Sequence, residues 1–384
     1  VYTPCPAFFG GFIREKGVIR IIGKMEHKWA GRSRNCSHIS QVIAMQQQMV
    51  QSFGGLRFVF VALVFMSHFA WDGIDAFDFG GDCGVAFFFA LSGYGLMSGY
   101  GERAVAGTLE IVPFMHRRLS RIYPMHLLAL AVAFAAMPWN FGDIKADVLS
   151  GLLLQSWTAD YFATNGPAWF LSTLVFLYLL FPWLARRVAA MRMRTLATMA
   201  VVGIGLMTSA YVAVYTAGLD EDGATRWLYV FPPARVLDFF LGMAVFCLCV
   251  ALRARMKDLS SGVAFALQMA SMALVAALVP LYTCVGLPWG LGAIFWLAVA
   301  AVIGVFSLTD GKALAGAYAM ASRPLSYLGS ISMEIFLLHV PIIAGLRRLA
   351  LHLPFEMSYG TALVSAAAIT LVVSVVVHRI VQRF

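Results

Sequence analysis

The sequence predicts an all-α polytopic membrane protein, a bundle of about ten transmembrane helices with both termini in the cytoplasm. Three observations carry this. Of 384 residues 61% are hydrophobic and only 12% charged, with a mean hydropathy of +0.80. Soluble chains run near 45–50% apolar and about 25% charged, so most of this surface must face lipid. Apolar runs also recur at lengths suited to helices crossing a core of about 30 Å, and Lys and Arg collect between alternate runs. A soluble enzyme, a disordered chain and a disulfide-stapled secreted domain are excluded. The net charge of +9 punctuates apolar spans, so it reads as the positive-inside rule and predicts no nucleic-acid partner.

Residues 1–50 are polar and basic and contain no run of spanning length or signal-peptide h-region. Met49 stands in a natural starting position, so this stretch reads as a disordered tail or a misassigned upstream extension. The spans follow at roughly 54–71, 83–100, 122–138, 167–185, 196–217, 231–252, 262–282, 288–308, 324–345 and 360–380. The runs lack the alternation of barrel strands, and 146–157 is too short to cross, so it reads as interfacial or re-entrant. With the N-terminus inside, fifteen Lys and Arg beyond the tail fall on the cytoplasmic side against five outside. Acids, among them Asp72, Asp75, Asp78, Asp82, Asp143, Asp147, Asp160, Asp220, Glu221 and Asp222, fall outside. The six cysteines form no CxxC, and no zinc or redox motif is visible. Cys83 and Cys284 lie near outer loops, where a disulfide is open to them.

Ionisable residues within spans are expensive and are functional candidates by default. Arg57 and His68 share the first span. Eleven steps of 100° end about 20° past three full turns, so both face one way, about 16 Å apart along the axis. A snorkelling arginine and a helix-packing histidine would show the same spacing. Asp72, at i+4 from His68, either holds the imidazole in one tautomer or is an ordinary outer-loop acid. Arg118 and Arg121, at i, i+3 in the run His116–Pro124, suit a phosphate grip together with Arg117; a topological stop signal fits equally. In the second span Gly95 and Gly99 form a small-residue surface for helix packing. Arg235 and Asp238 are spaced to neutralise each other. Glu334 and His339 are five apart, so only one is expected to face the interior.

These segments resemble a known family. The Arg57-x10-His68 pair, FFFALSGYGLM (Phe87–Met97) and RRLSRIYP (Arg117–Pro124) are similar to the acyltransferase-3 family of membrane acyltransferases. So are PAWFLSTLVFLYLLFP (Pro167–Pro182), FPPARVLDFFLGM (Phe231–Met243) and LGSISMEIFLLHVP (Leu328–Pro341). The likeness is collinear from about residue 50 to the end, making 51–384 one transmembrane acyltransferase domain. Two positions depart from the family pattern: Ala86 replaces a frequent acid, and Thr173–Leu174 stand where a Glu commonly follows the WxLS block.

The resemblance implies about ten helices, a bacterial inner-membrane location, and transfer of an acyl group, usually acetyl, from acyl-CoA. The acceptor it implies is a hydroxyl of a cell-surface carbohydrate or lipid-linked saccharide. No metal is implied. The family's essential arginine and histidine map onto Arg57 and His68, its Arg-x-x-Arg onto Arg118 and Arg121, and its serine–glycine motif onto Ser92 and Gly93. Asp72, Trp169, Glu334 and His339 are supporting candidates. His68 is then a general base, or the carrier of a transient acetyl group, and Arg118, Arg121, Arg117 and Arg57 hold the phosphates of acetyl-CoA. The alternative reading is a transporter or flippase for an anionic or saccharide substrate, which would also bury Arg, His and Glu.

Overall fold

In hydrocarbon every backbone N–H and C=O must find its partner within the chain, and these apolar runs do so as helices. The computed structural model describes residues 52–75, 80–218, 221–253, 255–256, 258–284, 292–310 and 322–382. The expectations for the tail 1–50, and the charges Asp78, Asp220, Lys257, Lys312 and Arg383, lie outside the described residues. Among those described, the only extended pairing is a bridge between Trp71 and Ile74.

The helices are α1 Phe53–Ser67, α2 Gly81–Ala106, α3 Ile111–Ala136, α4 Ile144–Gly151, α5 Trp169–Ala190 and α6 Met193–Thr216. They continue as α7 Val236–Leu252, α8 Ser261–Cys284, α9 Trp296–Thr309, α10 Arg323–Ser330, α11 Ser332–Ala350 and α12 Tyr359–Val381. Each expected run has its helix, but the count by length is lower. Seven described helices are long and apolar enough to cross a membrane, or eight if α10 and α11 form one broken span. That pair is bent by 63°. The apolar helices α1 and α9 are short, at 15 and 14 residues. Helix α1 stops at Ser67 because the His68 ring takes the Val64 carbonyl and the chain then turns through Asp72 and Gly73, both with positive φ (51° and 74°). In contrast α3 begins eleven residues before the expected 122, so the whole arginine run is helical. The short stretch after residue 143 forms α4, capped by Asp143. It then folds back so that the Ser156 hydroxyl donates to the Trp169 carbonyl at 2.8 Å.

Helix α2 is the hub, packed against α1, α5, α7 and α9. Its closest approach is to α7. A methyl group at Gly93 would fall on the Phe239 carbonyl, and one at Gly242 on the Ala90 carbonyl. The small-residue contact with α7 is therefore made at Gly93; of the expected Gly95–Gly99 pair, a methyl at Gly99 would meet nothing within 4 Å. Since backbone cannot yield as a side chain can, Gly242→Ala should push α2 and α7 apart and cost about 1–3 kcal/mol. A lowered melting temperature of the detergent-solubilised variant checks this.

Other expectations resolve nearby. Arg235 and Asp238 pair at 3.1 Å, both buried, and the Trp296 indole N–H also donates to Asp238 at 2.9 Å, tying α7 to α9. Asp82 is not an outer-loop acid: it is buried in the first turn of α2 and accepts from the Tyr282 hydroxyl at 3.1 Å. Cys83 is a buried free thiol and Cys284 an exposed one, so the disulfide does not form.

Candidate functional site

The bend between α10 and α11 decides where the site lies. Gly329 packs directly on the backbone of Gly54 in α1, and after Ile331 the first turn of α11 enters the bundle. There it meets α1, α2, α3, α5 and α12 around a cavity of about 480 Å³, ample for a small-molecule site.

Arginines dominate the cavity's polar wall. Arg57 comes from α1, and Arg118 and Arg121 from α3, one turn apart as their spacing predicts. Arg118 is 8% exposed, with its guanidinium 4.7 Å from the Tyr100 ring centroid and 5.7 Å from those of Phe114 and Tyr178. Its Nε and Nη2 have no hydrogen-bond partner among the described residues. A planar cation held on aromatic faces with buried N–H groups unsatisfied has the chemistry to accept an anion. Arg117 does not join this group. It points about 100° away on the helix and lines a separate hollow with Arg103 and Glu110.

Glu334, in the first turn of α11, faces the same cavity. One carboxylate oxygen accepts from His378 Nδ1 at 2.6 Å, and Gln382 Nε2 lies 2.7 Å from His378 Nε2. The second oxygen of Glu334 has no partner among the described residues. Neither His378 nor Gln382 was a sequence candidate. The signal was present as two polar residues at i, i+4 closing an otherwise apolar span. Ser92 lines the cavity with its hydroxyl bonded to the Phe88 carbonyl at 2.8 Å, whereas Gly93 faces α7. Trp169 stands off the cavity, packed on Phe89 and Tyr229.

Three rings close the end of the cavity opposite the start of α1: Phe88, Phe170 and Phe336, with Phe336 centred 5.0 Å from Phe170 and 6.2 Å from Phe88. His339 lies behind Phe336 at 6.2 Å, and His68 stands edge-on to His339 at 4.9 Å. His68 is exposed and His339 fully buried. Both Glu334 and His339 therefore face the interior, at different depths, which corrects the expectation of one.

Each imidazole is oriented by its own helix. Nδ1 of His68 lies 2.8 Å from the Val64 carbonyl, and Nδ1 of His339 lies 3.1 Å from the Ile335 carbonyl. A carbonyl only accepts, so each Nδ1 carries a proton, and in the neutral form of each ring Nε2 is the acceptor nitrogen. Helical spacing left Asp72 as either the group that orients the His68 ring or an ordinary outer-loop acid. Since α1 ends at Ser67, that register never reaches it, and a backbone carbonyl orients the ring instead.

The family model described as an acyltransferase domain matches residues 50–379. Acyltransferase MdmB of Streptomyces mycarofaciens is 26% identical over 333 residues, covering 79% of this chain and 80% of that protein. BcsY of Komagataeibacter xylinus, named as a candidate membrane-bound transacylase, is 25% identical over 346 residues, or 86% and 81% of the two chains. Protein 2 in the picA locus of Rhizobium radiobacter is 43% identical over 51 residues, 13% of this chain and 27% of that protein. No solved structure matches.

Proposed function

The chain belongs to the acyltransferase-domain family, and from that premise we propose that it moves an acetyl group from acetyl-CoA to a hydroxyl of an exported carbohydrate or lipid-linked saccharide, within a bacterial inner membrane. The observation that carries the reading is the pair of unsatisfied N–H groups on Arg118, held over Tyr100 in a cavity shared with Arg57 and Arg121. Such a pocket suits the phosphates of a coenzyme A, bound from the side where α1 begins, which charge asymmetry makes cytoplasmic. Arg57 and His68 are separated by about 16 Å along α1, a span that a pantetheine arm can bridge, and the thioester is thereby offered at the histidine pair.

The chemistry there is proton transfer coupled to acyl transfer. His68 Nε2 takes the proton of the acceptor hydroxyl, whose oxygen bonds to the thioester carbon. The C–S bond then breaks, and the departing thiolate recovers the proton from the imidazolium. His68 is open to the opposite face, which gives a bulky acceptor its approach, while the arginines stay on the donor's side. Buried Arg, His and Glu would also suit a transport pathway; membership of an acyltransferase family turns them toward chemistry.

The test is thiol release from acetyl-CoA by the purified protein in nanodiscs. Slow release, accelerated by a suitable saccharide, is expected. Neither release nor acetyl-CoA binding by folded protein would reject the reading. The arm must pass the Phe88–Phe170–Phe336 rings, so Phe336→Trp, which enlarges the ring nearest His339, should cut release at least about tenfold by displacing the thioester. Acetyl-CoA affinity, measured calorimetrically on the same variant, should stay within about twofold, because the phosphate contacts are untouched.

A further inference from the structure

Glu334 is a carboxylate in a cavity whose arginines are Arg57, Arg118 and Arg121, a poor neighbour for phosphate and so in need of its own reason. It is 3% exposed. One oxygen is committed to His378 Nδ1, and Gln382 meets the far nitrogen of that ring. The carboxylate is thereby fixed in rotation, and its other oxygen is left buried without a partner among the described residues. A buried acceptor held in this way costs free energy unless a ligand supplies a donor. Carboxylates accept and never donate, so the missing group is an N–H or O–H.

Depth selects which one. Glu334 precedes His339 by five residues on α11, about 7.5 Å along the axis, and His339 touches His68. Glu334 thus sits on the arginine side of Phe336, between the place proposed for the phosphates and the place proposed for the thioester. The part of an acyl-CoA that lies between those two ends is the pantetheine arm, whose hydrogen-bond donors include two amide N–H groups. Resting on the donor reading above, we infer that Glu334 is a specificity-determining residue that accepts a hydrogen bond from an arm amide of the acyl-CoA, with His378 as its positioning residue.

The experiment measures binding to wild type and to Glu334→Gln, which keeps the shape of the side chain and leaves one acceptor, already taken by His378. Three ligands are used: acetyl-CoA, an acetyl-CoA analogue whose arm amides are esters, and 3′,5′-ADP, which carries nucleotide and phosphates without the arm. Wild type is expected to bind the ester analogue about tenfold more weakly than acetyl-CoA, as befits one hydrogen bond to a charged acceptor. Glu334→Gln should lose about tenfold in acetyl-CoA affinity, no longer distinguish the two donors, and bind 3′,5′-ADP as wild type does.

Equal affinity of wild type for acetyl-CoA and the ester analogue overturns the inference while leaving the donor reading intact, and it requires no variant to fold. An equal loss of 3′,5′-ADP binding in Glu334→Gln also overturns it, since the carboxylate would then serve the nucleotide or the cavity's shape. Failure of wild type to bind acetyl-CoA removes the donor reading itself, and this inference with it.

Discussion

Replacing His68 by alanine reduces acyl transfer by at least about 100-fold, the usual scale for removal of a general base, and leaves donor binding within about twofold of wild type. The two effects separate because the His68 and arginine regions are separate in the fold. His68 is not part of the cavity wall; it contacts His339, which lies behind Phe336. It is exposed at the end of α1, where its Nδ1 lies 2.8 Å from the Val64 carbonyl and 3.4 Å from the Ser67 hydroxyl, both on its own helix, so truncation to alanine removes little packing. Thiol release and acetyl-CoA binding, measured on protein that elutes and melts like wild type, provide the check. A variant that transfers at the wild-type rate would falsify the role of His68. The covalent alternative differs in one observable: acetyl-CoA without acceptor would leave an acetylated His68 peptide, detectable by mass spectrometry after rapid quench. The exposure of His68 suits direct attack, because an acceptor hydroxyl can reach the ring without its first being acylated.

What could be read from the chain beforehand follows from the range of each signal. Arg57 with His68, and Arg118 with Arg121, are pairings within one helix, where the angle of 100° per residue decides which residues share a face. Hydropathy located every apolar run for a similar reason, since it is a local average. Pairings between helices were not legible. Glu334 meets His378 across 44 residues, and His339 reaches His68 only because the chain breaks at Ile331 and Gly329 lets α10 lie against α1. No periodicity within a span encodes that break. The glycine that meets α7 was not legible for the same reason: Gly95 and Gly99 satisfy the pattern for a small-residue surface, but which face of α2 meets α7 is settled by Gly242, in a span some 140 residues later. Of the two readings of Asp72, the orienting one needed a helical register extended past Ser67, where α1 stops, which leaves the outer-loop acid.

Arg118→Ala gives the second large effect, a loss of acetyl-CoA affinity of about 10- to 100-fold, corresponding to one or two charge-assisted hydrogen bonds. The expected signature is a raised KM for acetyl-CoA with kcat little changed, because phosphates remote from the thioester are held equally in the ground and transition states. Arg118 differs from most buried cations in a way that makes this variant informative. It rests on the rings of Tyr100, Phe114 and Tyr178, and no carboxylate forms a salt bridge with it among the described residues. Truncation therefore strands no opposite charge, the usual cause of collapse when a buried pair is broken. Lysine should restore only part of the affinity, since a point charge can neither stack flat on Tyr100 nor present the Nε and Nη2 hydrogens together. Arg117→Ala supplies the internal control. It removes an identical charge from the adjacent position, on a face turned to Arg103 and Glu110, and should leave the acetyl-CoA dependence unchanged. If the two alanine variants weakened binding equally, the effect would be general electrostatic attraction to a basic surface. A loss confined to Arg118 requires a built contact, and it should persist at high salt, where long-range attraction is screened but a desolvated pair is much less so.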